Sequence, residues 1–253
     1  MELTRKVIIL ESTEDMILDY NYHYELMKEI YRAIELENKN KAEKLHNRGF
    51  IIENKRYKLF TNQLFIKDAE YLKEGIVISK NSKLKLTISG AKDIVNDVIL
   101  GIVQNKQLKL FNNIFKVLNL ENEKRIKFDS ITLYRVRNPI VASIQNEKRQ
   151  IVFMSPYQDK FFEVLANNLR RKYRLIYNKD YQGELYFDIE DIFSIKKRLI
   201  SNIKTKGVVI GYSNFELYVQ ADVDMQKVAY YCGVGSNNSL GMGMMTYITS
   251  RRD

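Results

Sequence analysis

The sequence predicts an α+β fold built from two consecutive β-α-β-β-α-β units. Three observations lead there. Short apolar runs with strand-like alternation recur in both halves, segments with helical apolar spacing separate them, and the order of elements is the same on either side of about residue 120.

Val7-Ile-Ile-Leu10 is a β-branched run of strand length. From Tyr22 to Glu37, Leu26, Ile30 and Ile34 recur every four residues with Met27 and Tyr31 beside them, which is one face of a helix. Asn38-Lys-Asn40 interrupts it, and a short helical piece from Lys41 to Leu45 runs into His46-Asn-Arg-Gly49, where Gly is a helix stop. The segments 57–66, 75–79 and 84–89 read as strands. A helix from Ala91 to Val103 follows, with Ile94, Val95, Val98, Ile99 and Ile102 on one face, and 108–118 reads as one more strand. The second half repeats the order: strands over 131–136 and 151–154, then a helix bearing Phe161, Phe162, Leu165, Leu169 and Tyr173. Alternating strands at 185–189 and 215–219 flank Val208-Val-Ile210, before a helix from Asp224 to Cys232 and a last strand over 244–248. Both halves fit tandem ferredoxin-like, or RNA-recognition-type, units spanning 1–120 and 121–253. A single mixed α/β domain is the rival reading.

Composition narrows the function. The 253 residues carry 41 Lys+Arg against 31 Asp+Glu, a formal net charge of +10, which favours a polyanionic partner. One Cys and two His cannot build a zinc site of four Cys/His ligands, and a lone thiol implies no disulfide frame; no cofactor is expected. No apolar run approaches the roughly 18 residues of a membrane span, and Met1-Glu-Leu-Thr-Arg-Lys6 lacks the apolar core of a signal peptide. The expected location is the cytoplasm.

Gly233-Val-Gly235-Ser-Asn-Asn-Ser-Leu-Gly241-Met-Gly243 gathers four of the 11 glycines into eleven residues. Glycine permits positive φ and close backbone approach, so such a loop can turn its N–H groups toward a phosphate or seat itself against a neighbouring element. It lacks the Gly-Lys-Ser/Thr ending of a P-loop, and only ten residues follow it, too few for a dinucleotide-binding unit.

This segment resembles the C-terminal glycine-rich signature of the repeat-associated RNA-binding superfamily of CRISPR systems, and within it the CRISPR repeat endoribonucleases, the sixth Cas family. In order, Tyr20-Asn21, the helix bearing Tyr31, then His46, then Lys58-Leu-Phe-Thr61 followed by Leu64-Phe65, resemble the motifs around that family's active-site Tyr, His and Lys. The resemblance implies a tandem ferredoxin-like fold that binds precursor CRISPR RNA and cuts once per repeat without a metal. The ribose 2′-OH attacks the adjacent phosphate, the 5′ oxygen leaves, and the ends carry a 2′,3′-cyclic phosphate and a 5′-hydroxyl. A noncatalytic RNA-binding subunit of the same superfamily would keep the fold and the loop without needing His46. Assembly as a homodimer or within a CRISPR effector complex stays open.

That reaction needs a base for the 2′-OH, an acid for the leaving oxygen, and donors for the crowded phosphorane. Imidazole, with an ordinary pKa near 6.5, can serve as either, and one positioned acid/base group contributes about 10²–10⁴-fold. The resemblance gives this role to His46, makes Tyr31 a hydroxyl donor or orienter, and makes Lys58 a cation facing the phosphate, with Lys55 as the alternative lysine. In an unbroken helix at 1.5 Å per residue, Tyr31 and His46 would stand about 22 Å apart, so the chain must break between them, and Asn38-Lys-Asn40 is the place. Taken alone, Tyr31 reads as a core residue with its hydroxyl at the rim, His46 as a cation capping a helix C-terminus, and Lys58 as solvated. His23, the other histidine, is a second acid/base candidate.

From Ile192 to Gly207 stand Lys196, Lys197, Arg198, Lys204 and Lys206 with no acidic residue, a phosphate-facing hairpin. Gly233, Gly235, Ser236, Asn237, Asn238, Ser239, Gly241 and Gly243 are the expected RNA contacts of the loop. Arg170-Arg-Lys172 with Tyr173, Arg174 and Tyr177 mixes cations with rings that could stack on bases, or forms a helix's solvated face. Arg135 and Arg137 are further candidates.

Overall fold

The computed structural model describes residues 1–123, 126–202 and 207–251. The first half contains β1 (Leu3–Ser12), α1 (His23–Glu37), α2 (Lys39–Asn47), β2 (Phe60–Ile66), β3 (Lys83–Ala91), α3 (Lys92–Asn105), β4 (Gln107–Leu110) and β5 (Asn113–Asn122). The strands form one antiparallel sheet in the order β2-β3-β1-β5-β4. Alternation puts Ile8 and Leu10 of β1 and Leu84, Leu86 and Ile88 of β3 into the core, and α1 and α3 cover it with Leu26, Ile30, Ile34, Val95 and Val98, all fully buried or nearly so.

The second half contains β6 (Ile131–Val136), α4 (Asp159–Tyr177), β7 (Tyr186–Ile189), β8 (Lys196–Asn202), β9 (Gly207–Ser213), β10 (Phe215–Gln220), α5 (Val223–Cys232) and β11 (Thr246–Arg251). Its sheet runs β7-β10-β6-β11. In both halves the first strand lies between the last and the third, and the third pairs with the second, which is the ferredoxin-like arrangement. The two halves are tied through Arg5 of β1, which is 7% exposed. Its guanidinium donates to Ser89 Oγ at 3.1 Å, the Met245 carbonyl at 3.1 Å and the Tyr230 carbonyl at 2.5 Å, and stacks 3.5 Å above the Tyr230 ring.

Several elements differ from the sequence reading, the first of them at turns that no Gly or Pro announces. The strand expected over 108–118 is a hairpin, because Phe111 adopts φ 55° and reverses the chain between β4 and β5. The strand expected over 57–66 is split at Leu59, φ 54°, and Lys55–Tyr57 pairs with Phe50–Ile52 through Glu53-Asn54, both at positive φ. Gly75–Ile78 joins a small sheet with Met16–Leu18 and Glu70–Leu72. Ile151–Phe153 pairs with Ser143–Gln145 in a separate two-stranded sheet, and Val208–Ile210 belongs to the β8–β9 hairpin inserted between β7 and β10. The last strand starts at Thr246, because Met244 and Met245 are core residues, 2% and 0% exposed, that end the glycine-rich segment. No helix among the described residues is long and apolar enough to cross a membrane.

Candidate active site

Asn38 produces the break between α1 and α2. Its φ of −156° and ψ of 94° are extended, its N–H still bonds the Ile34 carbonyl, and its side-chain oxygen accepts the Lys41 N–H at 3.0 Å. One residue thus ends α1 and caps α2. The chain folds back, and the rings of Tyr31 and His46 meet edge-on, with centroids 5.1 Å apart at 84°. His46 stands exposed in the last turn of α2, with Nδ1 3.1 Å from Asn47 Oδ1. Tyr31 is half-buried and also edges Phe60 at 6.1 Å. Burial pushes its phenol well above the usual range, so it stays an O–H donor.

Lys58 lies under the end of α2. Its Nζ donates to the His46 carbonyl at 2.7 Å and to the Leu45 carbonyl, placing the ammonium at the negative end of the helix. Burial lowers its pKa, and the Arg56 charge adds to this. Lys58 and Lys55 both border a cleft of about 430 Å³ between the two halves, but only Lys58 is bonded to the His46 backbone. Opposite stand Lys160, Arg171 and Lys172 of α4, and Ser236 to Ser239 close the end; no lining residue is acidic.

The glycine-rich segment is interlocked with both halves. Thr61 donates to the Met242 carbonyl at 3.2 Å, Asn62 to that of Ser239 at 2.9 Å and Asn138 to that of Gly241 at 2.6 Å. Gly233, Gly235, Gly241 and Gly243 are all buried and shape the loop from within, while Ser236 to Ser239, with Gly235 beside them, line the cleft. At Gly235 and Gly243, φ is +75° and +69°, and an added Cβ would overlap the carbonyl oxygens of Val141 and Val234. His23 packs beneath the turn Asn238–Leu240. Burial pulls its pKa down to about 4, against a hydrogen bond with the Leu240 backbone, and the ring stacks on Tyr22 at 4.4 Å. Its neighbours are thus Tyr22 and the glycine-rich segment.

Lys196, Lys197 and Arg198 are exposed on β8, and Phe193 at the foot of the hairpin is 93% exposed; Lys204 and Lys206 lie outside the described residues. The basic cluster of α4 divides. Tyr173 is a core residue, 4% exposed and packed on Tyr177 at 4.6 Å, so it cannot stack on bases. Arg171 pairs with Glu53 at 2.5 Å and Arg174 with Asp180 at 3.3 Å. Arg135 pairs with Glu216 at 2.5 Å and, with Arg137, borders a separate cleft. Lys172 was hidden in this run. It is 1% exposed, and its register with Phe161, Leu165, Asn168, Leu169 and Ile176 on the buried face of α4 is the signal that sets it apart. Among the described residues no three His, Cys, Asp or Glu side chains gather as a metal site.

Comparison with known proteins agrees along the whole chain. Residues 17–121 match the family described as CRISPR-associated protein Cas6, N-terminal, and residues 121–247 match CRISPR associated protein Cas6, C-terminal. The chain is 26% identical to CRISPR-associated endoribonuclease Cas6 1 of Methanocaldococcus jannaschii, over 99% of this chain and 95% of that protein. It is 25% identical to CRISPR-associated endoribonuclease Cas6 of Pyrococcus furiosus, over 89% and 82%. A solved structure described as an RAMP protein binding different RNA substrates superposes with a TM-score of 0.82 at 18% identity, covering 97% of this chain and all of that one, a likeness of fold.

Proposed function

The chain belongs to the Cas6 family of CRISPR-associated proteins, and from that premise we propose that it is an endoribonuclease that cuts precursor CRISPR RNA within each repeat by metal-independent transesterification. The observation that carries this reading is the exposed His46 ring held against the Tyr31 ring, with the Lys58 ammonium bonded to the His46 carbonyl at the rim of a cleft lined by cations.

The 2′-OH next to the scissile phosphate attacks phosphorus in line and the 5′ oxygen leaves, closing a 2′,3′-cyclic phosphate. One proton leaves the 2′ oxygen and one reaches the 5′ oxygen, and His46 performs one of these transfers. Tyr31, kept protonated by burial, donates to or orients the reacting group. Two of the three Lys58 N–H donors are used by α2, which leaves one for a phosphoryl oxygen where negative charge develops. The unit 1–120 supplies this corner. The unit 121–253 supplies the grip, through Ser236 to Ser239 and the exposed Lys196, Lys197 and Arg198, beside which the Phe193 ring offers a stacking surface for an unpaired base. The cytoplasm is the proposed place of action.

The test is His46→Ala. Repeat cleavage is expected to fall about 10²–10⁴-fold, while affinity for the repeat stays within a few fold of wild type, as titrated with a labelled, uncleaved RNA. Undiminished cleavage by the variant contradicts the site. A wild-type protein that binds the repeat but never cuts it matches the noncatalytic subunit instead.

A further inference from the structure

Lys172 is the one lysine of α4 that the fold buries, and its Nζ is fully occupied. It donates to the Gly233 carbonyl at 2.7 Å, the Gly235 carbonyl at 3.2 Å and Asn238 Oδ1 at 2.7 Å. Three N–H donors meet three acceptors, and all three belong to the glycine-rich segment. Asn238 extends the bracing, because its Nδ2 donates to the Val234 and Met242 carbonyls at 3.3 and 3.0 Å. The two arms of the loop are therefore fixed to each other and to α4 through one ammonium, with Ser236 to Ser239 presented at the cleft that Lys172 itself lines.

This cation has no counter-charge. Among the described residues no carboxylate lies within ion-pair distance of it, although a buried charge is strongly disfavoured unless it is paired. The ionisable groups around it do not help. Cys232 of α5 is pushed up to about 12 by burial and is neutral, while Arg171 on the same helix and Lys55, Lys58 and Lys160 around the cleft are cations. Resting on the reading of this cleft as the RNA path, we propose that Lys172 is a positioning residue that holds the glycine-rich loop in its RNA-binding form, and that a backbone phosphate of the bound strand supplies the missing counter-charge. RNA affinity and protonation of Lys172 are then linked, each favouring the other.

Burial lowers Lys172 to about 7, so the free protein loses this proton within the ordinary working range. A neutral amine has two N–H donors for three acceptors, and the loop loosens as pH rises. Folding moves the other way. The unfolded lysine keeps its ordinary pKa near 10.4, so between pH 7 and 10.4 the unfolded chain holds a proton the folded chain has released, and this residue's contribution to stability grows with pH. A lysine with a merely structural role would not separate the two trends.

The experiment uses full-length protein carrying His46→Ala, which silences cleavage, and an RNA oligonucleotide containing the host's CRISPR repeat. Affinity is measured from pH 6 to 9 at fixed ionic strength, with calorimetry at pH 8 in two buffers of different ionisation enthalpy. The expected result is an affinity that falls about fivefold from pH 7 to 9 and nearly tenfold across the range from pH 6, matching one unit of pKa shift on binding, with net proton uptake on binding at pH 8. Lys172→Arg is expected to bind with no pH dependence, and Lys172→Met to bind about tenfold more weakly, also without it. RNA bound equally well across the range with no proton uptake overturns the proposal and leaves the cleft reading standing, and this needs only the parent protein should a variant fail to fold. Absence of RNA binding at every pH overturns both.

Discussion

The corner that bears His46 is tied through Lys58 to the cleft that the glycine-rich segment borders, and the two are held in opposite ways. His46 sits exposed on the last turn of a nine-residue helix, touched by the Tyr31 ring and braced from below by Lys58. In the glycine-rich segment the four glycines are buried at positive φ, and side chains from three separate stretches of chain, Thr61-Asn62, Asn138 and Lys172, bond its carbonyls. A group that must exchange protons with substrate needs access and a free lone pair, so its support comes from neighbours rather than from burial. A loop that must present its backbone in one shape needs every polar group occupied. On the proposed function, His46 is therefore replaceable without unfolding the protein, and the loop is not.

The largest stability effect expected from this contrast is at Gly243. Gly243→Ala places a Cβ onto the Val234 carbonyl at φ +69° and should lower unfolding free energy by about 3 kcal/mol in a denaturant titration. His46→Ala, at an exposed position, should stay within about 0.5 kcal/mol. Equal losses at the two sites would erase the distinction. A smaller effect is expected beneath the loop. His23 is held near pKa 4 in the folded protein against about 6.5 unfolded, so between those values the unfolded chain takes up a proton that the folded chain refuses. Stability should therefore drop as pH falls from about 6.5 to 4, by an amount on the order of 2 kcal/mol. His23→Gln should flatten that part of the profile while leaving the slope above pH 7 in place.

The same contrast explains what could be read from the chain beforehand. The tandem order of elements was legible because apolar spacing in α1, α3 and α4 and alternation in β1 and β3 are set by burial, which sequence records directly. The extra hairpins were not, because Phe111 and Leu59 turn the chain at positive φ without glycine, under the constraint of surrounding packing. That Tyr31 and His46 share one site came from the family resemblance; helix rise then required a break between them, which Asn38-Lys-Asn40 marked and Asn38 makes. The glycine-rich segment was conspicuous, yet which of its residues face the cleft depends on contacts with Thr61, Asn62 and Asn138, far away in the chain. Lys172 was obscured by Arg170 and Arg171 beside it, since a basic run looks solvated until its register with the apolar face of α4 is followed residue by residue.

The most direct test of the central claim, that a 2′-hydroxyl is the nucleophile activated at the His46 corner, is cleavage of a repeat RNA in which the nucleotide just upstream of the cut carries 2′-deoxyribose, assayed in chelator beside the all-ribose strand. The account predicts that the all-ribose strand is cut to a 2′,3′-cyclic phosphate and that the substituted strand is bound but stays intact. Cutting of the deoxy-substituted strand at the same position, or a requirement for added magnesium by the all-ribose strand, would contradict it.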